Sequence, residues 1–381
     1  MMNTPWYQIE NPEDVPSPAL LVWPERVEQN IRRMVEIVEG RVEHLRPHVK
    51  THKLPQVMEM QIAAGITACK VATIAEMEMA AEAGVPDILL AYQPVGPNIR
   101  RLLELHRKYP NVKIAALVDD PNVVDTISSV FSSGGAVLPL YLDVDCGMHR
   151  TGIEVGPAAA AVCKHVSESS AVEFAGLHVY DGHVHDVPVA DRESNSVAAF
   201  EPVLAFLRTL RDQGTPVKHI VGGGSPTFGV HARRALSEEF SDISYQCSPG
   251  TTLYWDAGME AHFPDLGFNT AAAVLTRVVS KPLEGRLCLD LGHKAVAAEQ
   301  EIGNRVRFPE LPDANPVIQN EEHMMLETSR SGDFAIGDEL FGIPWHICPT
   351  VALHQEAVII RDGRATGERW EIRARGRRLT V

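Results

Sequence analysis

Short apolar runs recur along the first two thirds of the chain, at about residues 42–49 (VEHLRPHV), 68–72, 87–92 (DILLAY), 113–118 (KIAALV), 138–144 (LPLYLDV), 173–179 (EFAGLHV), 218–222 and 242–247. Continuous apolar runs of this length predict strands buried on both faces. Between most of them lie amphipathic helical patterns, such as PQVMEMQIAAG closing on Gly65 and IAEMEMAAEAG closing on Gly84. Glycine belongs there because a helix C-terminus favours positive φ. Strands alternating with helices predict a parallel sheet covered by helices. Eight such strands in a little over about 200 residues predict an α/β fold of the (β/α)8 TIM-barrel kind over residues 24–255, rather than an open doubly wound sheet.

A further helical pattern, PERVEQNIRRMVEIVEG, precedes the first barrel strand; it places Pro24 in a first turn and Val27, Ile31, Val35 and Val38 on one face. After about residue 255 the helical rhythm stops. AAAVLTRVVS, GRLCLDLG, HMMLE, DELFGIP and EAVIIRDGRATGERWEIRARG are short strand patterns punctuated by Gly, Pro and Asp. They predict a C-terminal β domain over 256–381, to which PSPALLVW adds a strand, so that residues 1–23 go with it.

Composition narrows the partners. The chain has 381 residues, enough for at least one large core, and a formal charge of −15 from 50 acidic against 35 basic side chains. That balance argues against nucleic acid and anionic membranes, whose phosphates need a broad basic face. The six cysteines are scattered with no CxxC pair and are expected to be reduced thiols. No apolar run approaches a membrane span, and MMNTPWYQIENPED has neither a basic leader nor an apolar signal core. A cytoplasmic enzyme or binding protein is the expectation.

In a barrel of this kind the chemistry belongs at the C-terminal ends of the strands. The first strand delivers His48, Lys50 and His52 within RPHVKTHK; the fifth runs into DVDCGMHRTG, the sixth into HVYDGHVHD, the seventh into VGGGSPTF and the eighth into CSPGTTLYWD. A lysine leaving an apolar strand is expected to be desolvated, which lowers its pKa and frees the neutral amine that condenses with a carbonyl. The bare amides of GGGS, residues 222–225, form an anion-binding concavity suited to phosphate. Together these point to a phosphorylated aldehyde, pyridoxal 5′-phosphate. Taken singly, a basic cluster is most often a solvated turn and a glycine run a tight turn.

LRPHVKTHK, LDVDCGMHRTG, GGGSPTF, PGTTLYWD and the downstream IPWHICPTVALH together resemble the D-threonine aldolase and D-serine dehydratase family of alanine-racemase-like, fold type III pyridoxal-phosphate enzymes. The resemblance spans residues from about 15 to 360. It implies that Lys50 carries the coenzyme and moves a proton at the substrate α-carbon. It also implies that His48 and Tyr180 line the coenzyme and that Arg150 faces its phenolic oxygen, where a permanent cation stabilises a phenolate without competing for its proton. Gly223, Gly224 and Ser225 would hold the phosphate, with Gly250, Thr251 and Tyr254 closing the other side and Gln246 lining the ring.

His346 and Cys348 in HIC are expected on one face of an extended strand, a spacing at which imidazole and thiolate reach one ion. Alone the motif is weak, since a strand cysteine is usually a small buried hydrophobe. The resemblance implies a divalent metal there; the thiolate favours Zn2+, with Mn2+ and Mg2+ as the other candidates. An ion that coordinates the β-hydroxyl implies D-β-hydroxy amino acids as substrates. Two outcomes compete. Deprotonation of the hydroxyl, with His178, Tyr180, His183 and His185 as candidate bases, breaks Cα–Cβ and gives glycine and an aldehyde. Removal of the α-proton by Lys50 expels the hydroxyl and gives a keto acid and ammonia. HVYDGHVHD departs from the dehydratase pattern and Cys348 from the aldolase one; the reading adopted is D-threonine aldolase-like cleavage, with D-serine or 3-hydroxyaspartate dehydratase as the alternative. A racemase, a non-catalytic coenzyme carrier and a metal hydrolase using His183 and His185 are remoter readings. The family implies a homodimer.

Overall fold

In the computed structural model, which describes residues 5–381, the chain divides into two compact units. Residues 1–4 of the N-terminal segment grouped above with the β domain lie outside the described residues. One unit comprises Arg32–Lys50, Pro55–Gly250 and Gly376–Val381; the other takes in the chain up to Ile31, Thr51–Leu54 and Thr251–Arg375. No helix among the described residues is long and apolar enough to cross a membrane. All six cysteines are free thiols.

After a 3-10 turn at Pro12–Asp14 the chain forms β1 (Ala19–Val22) and α1 (Pro24–Ile37), the helix opening on proline as expected. Val27, Ile31, Met34 and Val38 are its buried side, Met34 taking the place expected of Val35.

The barrel strands are β2 (Ala68–Val71), β3 (Asp87–Leu90), β4 (Lys113–Val118), β5 (Leu138–Asp145), a two-residue β6 (Ile153–Glu154), β7 (Val172–Val179), β8 (His219–Gly222) and β9 (Ser244–Cys247). They pair in parallel in the order β2-β3-β4-β5-β7-β8-β9, with β6 beside β5. Helices α2 (Pro55–Ala63), α3 (Ile74–Glu82), α4 (Pro97–Lys108), α5 (Pro121–Ser133), α6 (Pro157–Glu168), α7 (Val189–Asp212) and α8 (Phe228–Leu236) provide the crossovers. Leu89, Ala115, Leu117, Tyr141 and Val221 pack together from four strands. Local signals agree with this frame. Thr73 Oγ1 accepts from Glu76 N while the Glu76 carboxylate accepts from Ala72 N, satisfying two otherwise orphan donors at the start of α3. Gly65 and Gly84 stand at φ +85° and +89°, as their positions after helices require.

The strand expected at 42–49 is the exception. Val42–His44 is a 3-10 turn, and only two parallel bridges follow, Leu45 to Cys247 and His48 to Lys70. Arg46 N donates to Cys247 O and His48 N to Pro249 O, while Val49 N donates to Lys70 O and Lys70 N to Pro47 O. This short segment therefore closes the ring between β9 and β2. It cannot lengthen into a regular ladder because Pro47 has no N–H to donate.

The second unit adds β10 (Ala272–Ser280), β11 (Arg286–Leu289), β12 (Val306–Arg307), β13 (Asn315–Gln319), β14 (Met324–Glu327), β15 (Glu339–Pro344), β16 (Glu356–Arg361) and β17 (Arg364–Glu371). Its sheet runs β13-β14-β11-β10-β1-β16-β17, with β15 pairing β10 and β12. PSPALLVW supplies β1, antiparallel to β10 and parallel to β16, as the sequence predicts. Two strands were not anticipated, β12 and β13. Pro316 reads as a break, yet β13 lies at the sheet edge with a register shift at that proline, where a missing N–H costs little. Leu21, Trp23, Ala273, Leu275, Phe341, Val358 and Ile360 form this unit's core. It also holds two short helices, α9 (Ala257–His262) and α10 (Ile347–Val351).

Candidate active site

Lys50 does not have the burial expected of it. It is exposed, in the turn that follows the ring-closing segment, and its backbone N donates to His48 Nδ1 at 3.3 Å. The strand ends at the bridge of His48 to Lys70, and Val49 and Lys50 form a turn rather than continuing a pleat, Val49 buried and Lys50 exposed. The buried amine in this unit belongs instead to Lys70, third residue of β2, only 3% exposed.

Lys70 Nζ lies 3.3 Å from His178 Nε2, and His178 Nδ1 lies 2.7 Å from Asp143 Oδ1. Asp143 and His178 are register partners on the adjacent strands β5 and β7, which sets them side by side. A carboxylate only accepts, so Nδ1 carries the proton and the Nε2 lone pair accepts from Lys70. Burial, then the charge of Lys50, lowers Lys70 to about 7 against the pull of Asp143 and Asp181; Arg150 lowers it further. Burial and Lys70 likewise hold His178 below the usual imidazole range, although Asp143 opposes them. For Asp143, burial alone would raise the carboxyl, but the hydrogen bond and charge of His178, with Thr151 and Lys70, outweigh it. His178 was expected as a free base; with its ring buried and both nitrogens engaged, it is the middle of a chain instead.

Tyr180, just past the end of β7, is the hub of the barrel mouth. Lys70 Nζ and Arg150 Cζ each lie 5.4 Å from its ring centroid. Arg150 is held by its loop: Asp145 Oδ1 accepts from Gly147 N (2.9 Å) and His149 N (3.0 Å), and Gly152 N donates to Asp119 Oδ2 at 3.0 Å. His183 covers that loop so closely that a Cβ on Gly147 would meet its Nε2 at 2.9 Å, whereas His185 is exposed. The group with metal-ligand spacing among the described residues is Asp145, His149 and Glu154, and it includes neither histidine of GHVHD. The hydrolase reading gains no support.

Gly223 stands at φ +74°, where a Cβ would sit 2.4 Å from His231, and a Cβ on Gly224 would sit 2.9 Å from the Tyr180 ring. Only glycine lets backbone and aromatic rings approach so closely. Ser225 Oγ accepts from Gly250 N at 3.0 Å, and the turn runs into α8, whose N-terminus favours an anion. Beneath the turn lies a buried network that no sequence pattern marks. Asp181 accepts from Ser196 (2.9 Å) and Thr227 (2.8 Å) and pairs with His231 (2.9 Å), which reaches Tyr245 OH at 2.5 Å. Burial alone would raise Asp181, but the charge and hydrogen bond of His231, then Thr227 and Ser196, hold it at about 2.

Gln246 does not join this group. Its Oε1 accepts from Arg46 Nε at 2.7 Å and its Nε2 donates to Glu43 O. Arg46 in turn pairs with Asp87, the first residue of β3, at the N-terminal end of the strands. The buried guanidinium claims the amide that a coenzyme ring would need.

The second unit holds the remaining expected residues. His346 and Cys348 are not on a strand: β15 ends at Pro344, His346 is the N-cap of α10, and Cys348 lies in its first turn. Pro349 beside it suits a first helical turn, where no donor is missed, and starts the helix early. His346 Nδ1 lies 2.7 Å from Glu299 Oε1, which leaves Nε2 for its hydrogen bond with Cys348. Burial would lower His346, but Cys348, then Asp256 and Glu299, raise it to about 9. Cys348 Sγ is 3.1 Å from Thr51 Oγ1 and 3.7 Å from Thr251 Oγ1. Imidazole and thiol side by side, with a carboxylate fixing the imidazole tautomer, is a donor set that fits a divalent ion such as Zn2+. Tyr254 is fully buried and its hydroxyl has no partner; its ring stands edge-on to His52, whose Nε2 is also unpartnered. Burial pushes His52 down to about 3 and Tyr254 well up. Buried polar atoms left open in this way call for a partner, such as water, an ion or a bound molecule.

Lys70 and Asp143 were missed because each sits inside an apolar run and was counted as part of a strand. The signal was there: a charged residue at an interior strand position is almost never buried without a partner.

A closed parallel ring whose mouth gathers lysines, an arginine and a glycine turn, carried with a mainly antiparallel β unit, defines an alanine-racemase-like enzyme. Residues 22–256 match the profile described as "Alanine racemase, N-terminal domain", and the chain belongs to that family. Residues 271–360 match a domain named after serine dehydratase. The chain is 29% identical to D-threonine aldolase of Arthrobacter sp., over 95% of this chain and 93% of that protein. It is 24% identical to D-threo-3-hydroxyaspartate dehydratase of Delftia sp., over 88% and 92%. The crystal structure of D-threonine aldolase from Filomicrobium marinum superposes with a TM-score of 0.86 at 25% identity, over 96% and 97%. Aldolases and dehydratases are both lyases, and the chain is a pyridoxal-phosphate-dependent lyase of this group.

Proposed function

We propose that the protein cleaves D-β-hydroxy amino acids of the D-threonine type into glycine and an aldehyde. The observation that carries this reading is similarity along nearly the full length of both chains to a D-threonine aldolase, in sequence and in structure. The residues of the barrel mouth support the coenzyme assignment. Lys50, exposed in its turn, is accessible to form the covalent link. Gly223, Gly224, Ser225 and Gly250 would hold the phosphate, and His48, Arg150 and Tyr180 would flank the ring, with Thr251 and Tyr254 as further candidates. His346 and Cys348 would hold the divalent ion.

Bound there, the coenzyme supplies an electron sink for charge developing at the substrate α-carbon, and the ion supplies Lewis acidity toward a hydroxyl. The chain's own part is separate. Lys50 holds and returns a proton at the α-carbon. Arg150, permanently charged, stabilises a phenolate without taking its proton. The glycine turn binds through amides and excludes any side chain that would fill the cradle. With His178 engaged, His183, over the arginine loop, is the candidate base, ahead of Tyr180 beside the ring and the exposed His185. The working form is proposed to be a cytoplasmic homodimer, as the family implies.

A second reading, dehydration to a keto acid and ammonia, is favoured by Cys348 as a ligand and by the relative from Delftia. Incubating the protein, loaded with pyridoxal 5′-phosphate and Zn2+ or Mn2+, with D-threonine, D-serine and D-3-hydroxyaspartate separates the two. Glycine with an aldehyde supports the aldolase; ammonia with a keto acid and no glycine overturns it.

A further inference from the structure

The three-residue chain Asp143–His178–Lys70 ends on an amine to which the family reading gives no role. His178 has spent its capacity: its Nδ1–H goes to Asp143 and its Nε2 accepts from Lys70. Lys70 has not, because one of its N–H bonds serves His178 while the amine also faces the Tyr180 ring. Its backbone is tied on both sides to the segment that carries Lys50, through Lys70 N to Pro47 O and Val49 N to Lys70 O. The two lysines therefore leave neighbouring extended segments at the same end of the barrel, one amine buried and the other exposed.

We infer that Lys70 is a positioning residue that acts through Lys50: braced by His178 and Asp143, its buried amine takes the proton that Lys50 must lose before bonding to an aldehyde, and returns it afterwards. The step is balanced. Lys50 ammonium and Lys70 amine become Lys50 amine and Lys70 ammonium, with no other reactant. The new ammonium donates to His178 Nε2 and is compensated by the Asp143 and Asp181 carboxylates; once Lys50 is neutral, Arg150 is the cation that still opposes it. Burial brings Lys70 down to about 7, so near neutral pH a large share of it is the free amine that accepts a proton, which an exposed lysine is not. This inference rests on Lys50 carrying the coenzyme.

The test follows the visible absorbance of the protein as pyridoxal 5′-phosphate is added across a pH series, in wild type, Lys70→Met and Lys70→Arg, alongside steady-state turnover. Lys70→Met removes both the acceptor and the repelling charge. Its pH midpoint for coenzyme uptake should move up by about 1 unit, and kcat should fall by about 10²-fold with KM little changed. Lys70→Arg keeps a cation that cannot accept a proton, so the midpoint should stay near wild type or fall while kcat still drops. If Lys70→Met does not fold, as judged by its thermal transition, His178→Gln, which leaves Lys70 unbraced, should show a smaller shift in the same direction. A folded Lys70→Met or His178→Gln with wild-type midpoint and turnover overturns the inference. Lys50→Ala separates the two layers. A coenzyme band that survives Lys50→Ala sinks the reading of Lys50 itself, whereas a band that needs Lys50 but ignores Lys70 sinks only the relay.

Discussion

In the barrel unit the polar groups that matter sit on inward faces of parallel strands: Lys70, Asp143 and His178 are 3%, 6% and 5% exposed and bonded to one another. In the β unit the corresponding groups, His346 and Glu299, sit at the rim of a short helix with side chains 43% and 41% exposed. The same kind of contact, imidazole to carboxylate at 2.7 Å, occurs in both. Buried, such a contact is part of the fold, because breaking it strands a polar group in a low-dielectric interior. Exposed, it orients a ligand and contributes little to stability.

Five substitutions break or sharpen that contrast. Lys50→Ala should have the largest effect, abolishing both the visible absorbance of the coenzyme-loaded protein and its lyase activity while leaving the thermal transition near wild type. Asp143→Ala should cost about 3–5 kcal/mol in urea denaturation because it leaves the His178 Nδ1–H without its acceptor inside the barrel. The equivalent Glu299→Ala in the β unit should cost less than about 1 kcal/mol; equal losses would refute the comparison.

The pH dependence gives a third handle. Asp181 is held at about 2 against an ordinary 3.8, so its stabilisation is complete above about pH 4 and is lost as pH falls through 2. That contribution is about 2 kcal/mol. Asp181→Asn should flatten the acid limb of the stability curve between those values, while leaving its neutral and alkaline parts parallel to wild type. The smallest effect on the fold is expected of Glu299→Gln. It should leave stability unchanged and weaken Zn2+ binding by about 10- to 100-fold, measured by competition with a chromophoric chelator.

Much of this architecture could be read from one-dimensional patterns. Seven of the eight expected barrel strands fall on β2, β3, β4, β5, β7, β8 and β9, because a strand buried on both faces must be apolar throughout. Gly65 and Gly84 marked helix ends because positive φ excludes most other residues there. The segment 42–49 failed because its apolar content resembles a strand while Pro47 prevents a ladder. HIC failed for the opposite reason: β-favouring residues flank it, but the helix start is set by Pro349 and by Asp256, whose carboxylate accepts from Ile347 N across 91 residues.

The sequence by itself determined most of the strands and helices of the barrel unit, where the glycine turn and the basic octapeptide fall, and which family the chain resembles. All of these are encoded in local composition and spacing. Only the tertiary structure decided which lysine is buried, that His178 is engaged at both nitrogens and that Gln246 turns to Arg46. Those outcomes depend on which side chains from distant strands meet inside a closed ring, and burial and charge act through that meeting rather than through neighbours along the chain.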